Sequence, residues 1–396
     1  MRITPKVELD RRLASFQALL AQEELDGALL LQRADLFYFS GTIQQAHLFV
    51  PAAGSPLLMV RKSLGRAQQE SALESILSLR SLRDLPALLA DHGHGPPARL
   101  GMELDILPAN LYVRYQTLFS GTELLDVSPL VRRVRMIKSP YEVEIQRQAA
   151  RLLNRVMRQV KDLLHEGMTE LELAADLEAA ARRGGHQGEV WMRSWNQSLF
   201  YGQVLAGESG AVVSYFDGPL AGTGLSPAMP RGPSRRSIRR GEPILVDYVA
   251  AYDGYLVDQT RVFALGSLSD RWVAAYEAMR TVQAAVREAA RPGALCADLY
   301  DLAVAKAGEL GYAEGFMGHG EGRVSFVGHG VGIEIDEWPV LARGVEMPLE
   351  AGMVFALEPK VAFPGKGAVG IENTWLVTED GLESLTFSDE RITVLE

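Results

Sequence analysis

Little in this chain of 396 residues could hold it together covalently or fix it in a membrane. It has a single cysteine, Cys296, which excludes an internal disulfide and leaves no thiolate cluster for a metal. Cys296 follows the Pro292-Gly293 break inside a helical pattern, so a buried small hydrophobe is expected there. No apolar run approaches the roughly 20 residues of a membrane helix, and the opening MRITPKVELDRRL lacks the apolar core of a signal peptide. Positive charge is in deficit, 40 Lys and Arg against 50 Asp and Glu for a net charge of -10, which argues against a nucleic-acid partner. These exclusions leave a cytoplasmic enzyme or binding protein, with no nucleic acid and no membrane as partner.

What is present is a large apolar fraction, 47% of residues, in a chain long enough for two or three domains. Residues 8–24 read as an amphipathic helix, with Leu13, Phe16, Leu20 and Leu25 near a 3.6 spacing. Short apolar runs follow at 28–31, 36–39, 48–50 and 56–60, separated by turn residues and then by helical stretches such as 63–80. That alternation predicts an α/β domain. His92 and His94, in DHGHGPP, belong to a solvated loop. The segment RRVRMIKSP ends this part of the chain, which places one domain at 1–135 and another at 136–396. From Tyr141 a long helix runs to about His165, Gly167 breaks it, and Thr169 with Glu172 forms a capping box for the next helix. A second pair, at about 271–291 and 297–311, repeats the pattern. Aligning Gly167 with Gly293 also matches Leu173 with Leu299 and Gly185 with Gly311, which suggests an internal duplication.

A strand-rich half follows each helix pair, and the chemistry lies there. The first half has apolar runs at 188–195, 199–206 and 210–216, then a Gly/Pro-rich excursion to Gly241. Ile244 to Leu265 is a hairpin pattern around Asp253-Gly254, with an aspartate in each arm. A two-residue turn would set Asp247 opposite Thr260 and bring Asp258 to the same face, diagonal to Asp247. Two carboxylates so placed repel unless a proton or a cation lies between them. The second half has His329 in GHGVGIE, Glu358 in MVFALEPKV and Glu372 in AVGIENTWLV. A three-residue connection would put Glu358 opposite Glu372, whereas four residues would send them to opposite faces. Four carboxylates and one imidazole suit two divalent ions, Mn²⁺ first, with Co²⁺, Fe²⁺ or Zn²⁺ as alternatives.

The segments DYVAAYDGYLVDQTR, GHGVGIEIDEWP, FALEP and GIENTWLV resemble the signature of the pita-bread metallopeptidases, the group of methionine aminopeptidase, aminopeptidase P, prolidase and the metal-free creatinase. The resemblance implies a creatinase-type α/β amino-terminal domain followed by an α+β pita-bread domain with pseudo-twofold duplicated halves. It implies that Asp247 chelates one ion, that Asp258 and Glu372 bridge both, and that His329 and Glu358 hold the second. Metal-assisted hydrolysis of a peptide or amide C–N bond follows, with Glu358 handling the proton of the attacking water. The substrate would be a small peptide or amino-acid derivative and the assembly a homodimer.

Three positions depart from the proline-specific members of that group. The histidine seven residues after the metal histidine is Asp336, the one four residues before it is Ser325, and residues 206–240 contain none. His319 reads as a surface-loop residue. Asp336 could bind a cationic substrate group or donate a proton, or simply accept hydrogen bonds from nearby backbone. Arg261 could contact a substrate carboxylate or act as a strut beside Asp258. Trp191, Arg193, Trp195 and Tyr215 could line a pocket or pack in the core. Three function classes are compatible with this pattern: an Xaa-Pro dipeptidase or aminopeptidase P type of hydrolase, a non-peptide C–N hydrolase or lyase on the same scaffold, and a non-catalytic binding protein.

Overall fold

A computed structural model describes residues 1–396, which divide into two compact units, Met1–Arg135 and Met136–Glu396. In the first unit the strands are β1 (Gly27–Leu30), β2 (Ala46–Pro51), β3 (Leu57–Val60), β4 (Ile76–Ser78), β5 (Arg99–Met102) and β6 (Glu123–Asp126). They form one sheet in the order β4-β3-β2-β1-β5-β6, antiparallel through β1, β2 and β3 and parallel elsewhere. The helices are α1 (Lys6–Gln22), α2 (Arg33–Ser40), α3 (Leu64–Glu70), α4 (Leu85–Asp91), α5 (Ala109–Leu118) and α6 (Ser128–Met136).

Helix α1 buries Leu9, Leu13, Phe16 and Leu20, the stripe its spacing predicts. Two readings of this unit change. The run at 36–39 is helical, because the Gln32 side chain accepts the Asp35 N–H and caps a turn that buries Leu36, Tyr38 and Phe39. The stretch 63–80 is only helical to Glu70, after which β4 joins the sheet edge.

The second unit repeats one plan twice. Helices α7 (Pro140–Leu163) and α8 (Glu170–Arg183) pack on a sheet of β7 (Gly202–Ala206), β8 (Ile244–Tyr252), β9 (Tyr255–Leu265) and, at the other edge, β17 (Thr393–Leu395). Helices α9 (Asp270–Ala289) and α10 (Cys296–Glu309) pack on a sheet of β10 (Phe326–Gly330), β11 (Glu337–Ala342), β12 (Val354–Leu357), β15 (Asn373–Thr378) and β16 (Gly381–Ser384). A short hairpin, β13 (Lys360–Phe363) with β14 (Gly367–Gly370), completes it. Capping boxes start α7 at Ser139/Glu142 and α8 at Thr169/Glu172, each satisfying two otherwise orphaned N–H groups.

Of the three runs expected between 188 and 216, only 202–206 becomes a strand. Gly188 (φ 90°) and Asn196 (φ 58°) interrupt the first, and Gly207 (φ 49°) turns the chain into a short 3₁₀ segment before the last. Cys296 is fully buried among the α9/α10 side chains, and burial pushes its thiol up to about 11. No helix is long and apolar enough to cross a membrane.

Each unit holds a buried neutral histidine. His47 Nε2 lies 2.6 Å from the Tyr115 hydroxyl, and burial, with Arg61 nearby, lowers its pKa to about 4. His186 Nδ1 accepts the Gly188 N–H at 2.9 Å, and burial again lowers its pKa to about 4. The unfolded chain therefore takes up protons below its ordinary histidine value of 6.5 while the folded chain does not, so this stability is present above pH 6.5 and is lost as the pH falls toward 4. Each histidine should account for about 2 kcal/mol of lost stability by pH 5. Thermal melts between pH 7 and pH 5 should show the midpoint falling, and His47→Gln and His186→Gln should each flatten that slope.

Candidate metal centre

The β8–β9 hairpin turns through Asp253 (φ 46°) and Gly254 (φ 86°), both left-handed, as a two-residue turn that follows the strand twist requires. The register then follows: Tyr252 pairs with Tyr255, Val249 with Asp258 and Asp247 with Thr260. Asp247 and Asp258 therefore share one face, one diagonal step apart. In the second half the connection Pro364-Gly365-Lys366 is three residues long, with Phe363 opposite Gly367 and Lys360 opposite Gly370. The pairs of β12 and β15, Leu357 with Asn373 among them, belong to the same register. Glu358 and Glu372 thus face each other where the ladder is interrupted.

Two cross-links clamp these acid-bearing segments together. Thr260 forms a bridge with Glu372, and its hydroxyl donates to Glu372 Oε2 at 2.7 Å. The Thr374 hydroxyl accepts the Asp258 N–H and donates to the Asp258 carbonyl, both at 2.9 Å. His329 comes in from β10, beside Ala356 of β12. Its Nε2 lies 3.7 Å from Glu358 Oε1 and 3.8 Å from Glu372 Oε1.

One further residue is at the centre of the cage. The Lys360 ammonium donates to Asp247 Oδ2 at 2.9 Å, Glu358 Oε2 at 2.6 Å and Glu372 Oε2 at 3.0 Å. Its three protons thus meet three carboxylates. Burial alone would push this ammonium down, but Asp247, Glu358 and Glu372 outweigh burial and hold it well above its ordinary value. Asp258 receives no hydrogen bond from Lys360, whose charge opposes the rise of its carboxyl only in part. Burial, then Glu372 and Asp247, drive its carboxyl well above the usual range. Asp247 is also raised by burial, with Lys360 opposing.

Two oxygens remain without a partner in this buried space, Asp258 Oδ1 and Glu372 Oε1. Ligand atoms of Asp258, His329 and Glu372 all lie within 4.8 Å of one another. These residues fit a divalent cation: two buried carboxylate oxygens short of a partner and an imidazole nitrogen facing them. Asp247, by contrast, is already matched by Lys360. Nothing in the strand patterning above singles out Lys360. The signal that could have done so is its spacing, since a residue two places after Glu358 on extended chain shares its face.

The cage forms the floor of a cleft of about 210 Å³, walled by Phe216, Leu220, Val249, Phe326, Ile335 and Val340 among others. Asp336 lines it too, but its carboxylate is turned to the backbone: it accepts the N–H groups of Arg193 and Ser194 at 2.9 Å each and the Ser194 hydroxyl at 2.6 Å.

Two substrate-binding assignments need correction. Arg261 is buried away from the cleft, where its guanidinium donates to the carbonyls of Thr260, Glu372, Ser388 and Asp389 and to Asn373 Oδ1. It ties chain segments together and offers nothing to a ligand. Tyr215 is more than half exposed and outside the cleft; its neighbour Phe216 is the lining residue, because this segment is irregular and strand alternation does not apply to it. Trp195 is likewise exposed, Trp191 and Arg193 are buried, and His319 contacts the Ala211 carbonyl at 2.7 Å.

Comparison with known proteins follows the same division of the chain. Residues 144–379 match the family described as metallopeptidase family M24, and residues 12–137 match the creatinase/prolidase N-terminal domain. A protein named Xaa-Pro dipeptidase from Pyrococcus furiosus is 26% identical over 387 residues, 97% of this chain and 100% of its own length. A probable dipeptidase PepE from Mycobacterium bovis is 29% identical over 390 residues, 95% of this chain and 93% of its own. The crystal structure of the prolidase from Pyrococcus horikoshii OT3 superposes with a TM-score of 0.80 at 25% identity, covering 96% of this chain and 99% of that one.

Two substitutions separate support from substrate contact. Arg261→Met leaves four carbonyls and Asn373 short of a donor in a buried place and should cost about 3–5 kcal/mol in a denaturation experiment. A raised KM with unchanged stability would instead reveal a substrate contact. Asp336→Asn, which retains one acceptor oxygen for three donors, should lower kcat/KM by roughly tenfold while leaving bound metal unchanged.

Proposed function

We propose that this chain, which belongs to metallopeptidase family M24, hydrolyses the peptide bond of dipeptide-sized substrates in which proline follows the scissile bond. The observation that carries this reading is the set of buried carboxylate oxygens without partners at the floor of an apolar-walled cleft. The names of relatives that match over almost the whole chain, Xaa-Pro dipeptidase among them, support the choice of substrate. Asp258, His329 and Glu372 would hold the cation, with Glu358 at the rim. Oxygen and imidazole donors suit Mn²⁺. A divalent cation so held polarises a carbonyl and lowers the pKa of a bound water toward about 7.

The remaining steps are assigned to the chain's own groups. Glu358 Oε2 is held by Lys360, which leaves Oε1, on the His329 side, to accept a proton from water and pass it to the leaving nitrogen. Phe216, Leu220, Phe326 and Val340 exclude solvent and offer an apolar surface to a proline ring. Lys360 is the only cationic side chain of the cleft lining and is already matched by three acids, so a dipeptide's carboxylate points toward the cleft mouth. Asp217 gives the lining an acid with which a substrate ammonium can pair.

The test is a turnover screen with Mn²⁺ present, setting Xaa-Pro dipeptides beside other dipeptides, small amidines and N-acyl amino acids. Release of proline from the Xaa-Pro series, lost at least about 100-fold on chelation and in Asp258→Asn, is the expected result. Turnover confined to the amidines or N-acyl amino acids would overturn the peptidase reading.

A further inference from the structure

The cage contains a cation supplied by the chain, and its position bears on how many ions the centre can take. We propose that the Lys360 ammonium permanently replaces one of the two divalent ions, so that the centre binds a single ion, at Asp258, His329 and Glu372. This rests on the reading of the cage as a metal centre and adds its stoichiometry.

Three observations carry the proposal. The first is the pattern of hydrogen bonds. Lys360 Nζ is within 3.0 Å of one oxygen from each of Asp247, Glu358 and Glu372, so all three of its protons are used. An ion chelated by Asp247 would have to occupy this same space. The second is what is left over. Asp258 Oδ1 and Glu372 Oε1 are buried without a partner, and both residues are more than nine-tenths buried. Glu372 Oε1 lies 3.8 Å from His329 Nε2, and a carboxylate oxygen of Asp258 lies within 4.8 Å of ligand atoms of both residues. The need for a cation is therefore confined to one side.

The third observation is that the lysine's position is built into the backbone. Lys360 pairs across the short hairpin with Gly370, and a β-carbon at Gly370 would fall 2.4 Å from Lys360 Cγ and 2.8 Å from its Cα. The absent side chain at Gly370 is what lets the lysine stem lie across the strand and reach the cage. Lys360 is only 2% exposed. Moving its head group aside for a second ion would leave a buried ammonium without its three acceptors, which interiors do not tolerate.

The experiment strips the full-length protein with a chelator, reloads it with Mn²⁺ under saturating conditions, and counts ions per chain by atomic emission and by titration calorimetry. Electron paramagnetic resonance reports whether the bound ions are coupled. The wild type should bind one ion per chain and show the spectrum of an isolated Mn²⁺. Lys360→Ala should open the vacated space and raise the count to two, with exchange coupling. Lys360→Met, which fills the space without charge, should stay at one. Two coupled ions in the wild type would overturn the proposal while leaving the metal centre intact. No bound ion in the wild type would overturn the metal reading on which it rests. The wild-type count decides between these outcomes even where a variant fails to fold.

Discussion

Four carboxylates in one buried space set the terms for the second unit. Two unit charges 4 Å apart at an effective dielectric of about 20 interact by about 4 kcal/mol, so four carboxylates gathered this closely repel one another unless cations stand among them. The surrounding structure resists the spreading that would relieve them. The Thr260–Glu372 and Thr374–Asp258 hydrogen bonds lock the two hairpins side by side. Behind them Arg261 gathers the carbonyls of Glu372, Ser388 and Asp389, so the backbone of the cage is braced from the side away from the cleft. Rigidity of this kind keeps an ion site preformed, and it makes Lys360 part of the architecture.

Turn chemistry placed two of the acids, while the other two waited on a connection that the sequence left open at three or four residues. Asp253-Gly254 permits a two-residue connection, and with a side-chain period of two that one fact sets Asp247 against Thr260 and Asp258 on the same face. Three residues between Phe363 and Gly367 do the same for Glu358 and Glu372. Where the backbone leaves the strand, such counting fails. Tyr215 and Phe216 differ by one position in an irregular segment, and only tertiary packing chooses Phe216 for the cleft. The 36–39 run is as apolar as a strand, but a Gln32 cap makes it a helix. Lys360 was hidden for another reason: its destination depends on three acids from separate segments and on the missing β-carbon of Gly370, none of which is local to it.

The absent histidines are partly explained by what stands in their place. At position 336 an imidazole could not accept three donors at once, whereas the carboxylate of Asp336 takes two backbone N–H groups and the Ser194 hydroxyl. The conformation of the 193–194 segment is therefore tied to the acid. Met192 and Ser194 of that segment line the cleft, so a change at 336 reshapes a wall of the pocket. Arg193, meanwhile, is buried close to Glu334, 3.6 Å away, which fixes the same segment from its other side.

The duplication of the unit sharpens the asymmetry of its centre. Each half contributes a helix pair and a hairpin with one acid per arm, and an equal pair of cation sites would be the symmetric outcome. The halves differ at the position two residues after the first acid. In the first half it is Val249, which packs with Leu256 and Ile335 in a small apolar cluster. In the second it is Lys360. A cation delivered from one half only cannot satisfy both sides of the cage equally, and the structure records this: Asp247 is matched by an ammonium, while Asp258 keeps a buried oxygen with no partner. The demand for an external ion thus falls on the side where His329 stands. Glu358 Oε1, which Lys360 does not hold, lies on that same side, 3.7 Å from His329 Nε2.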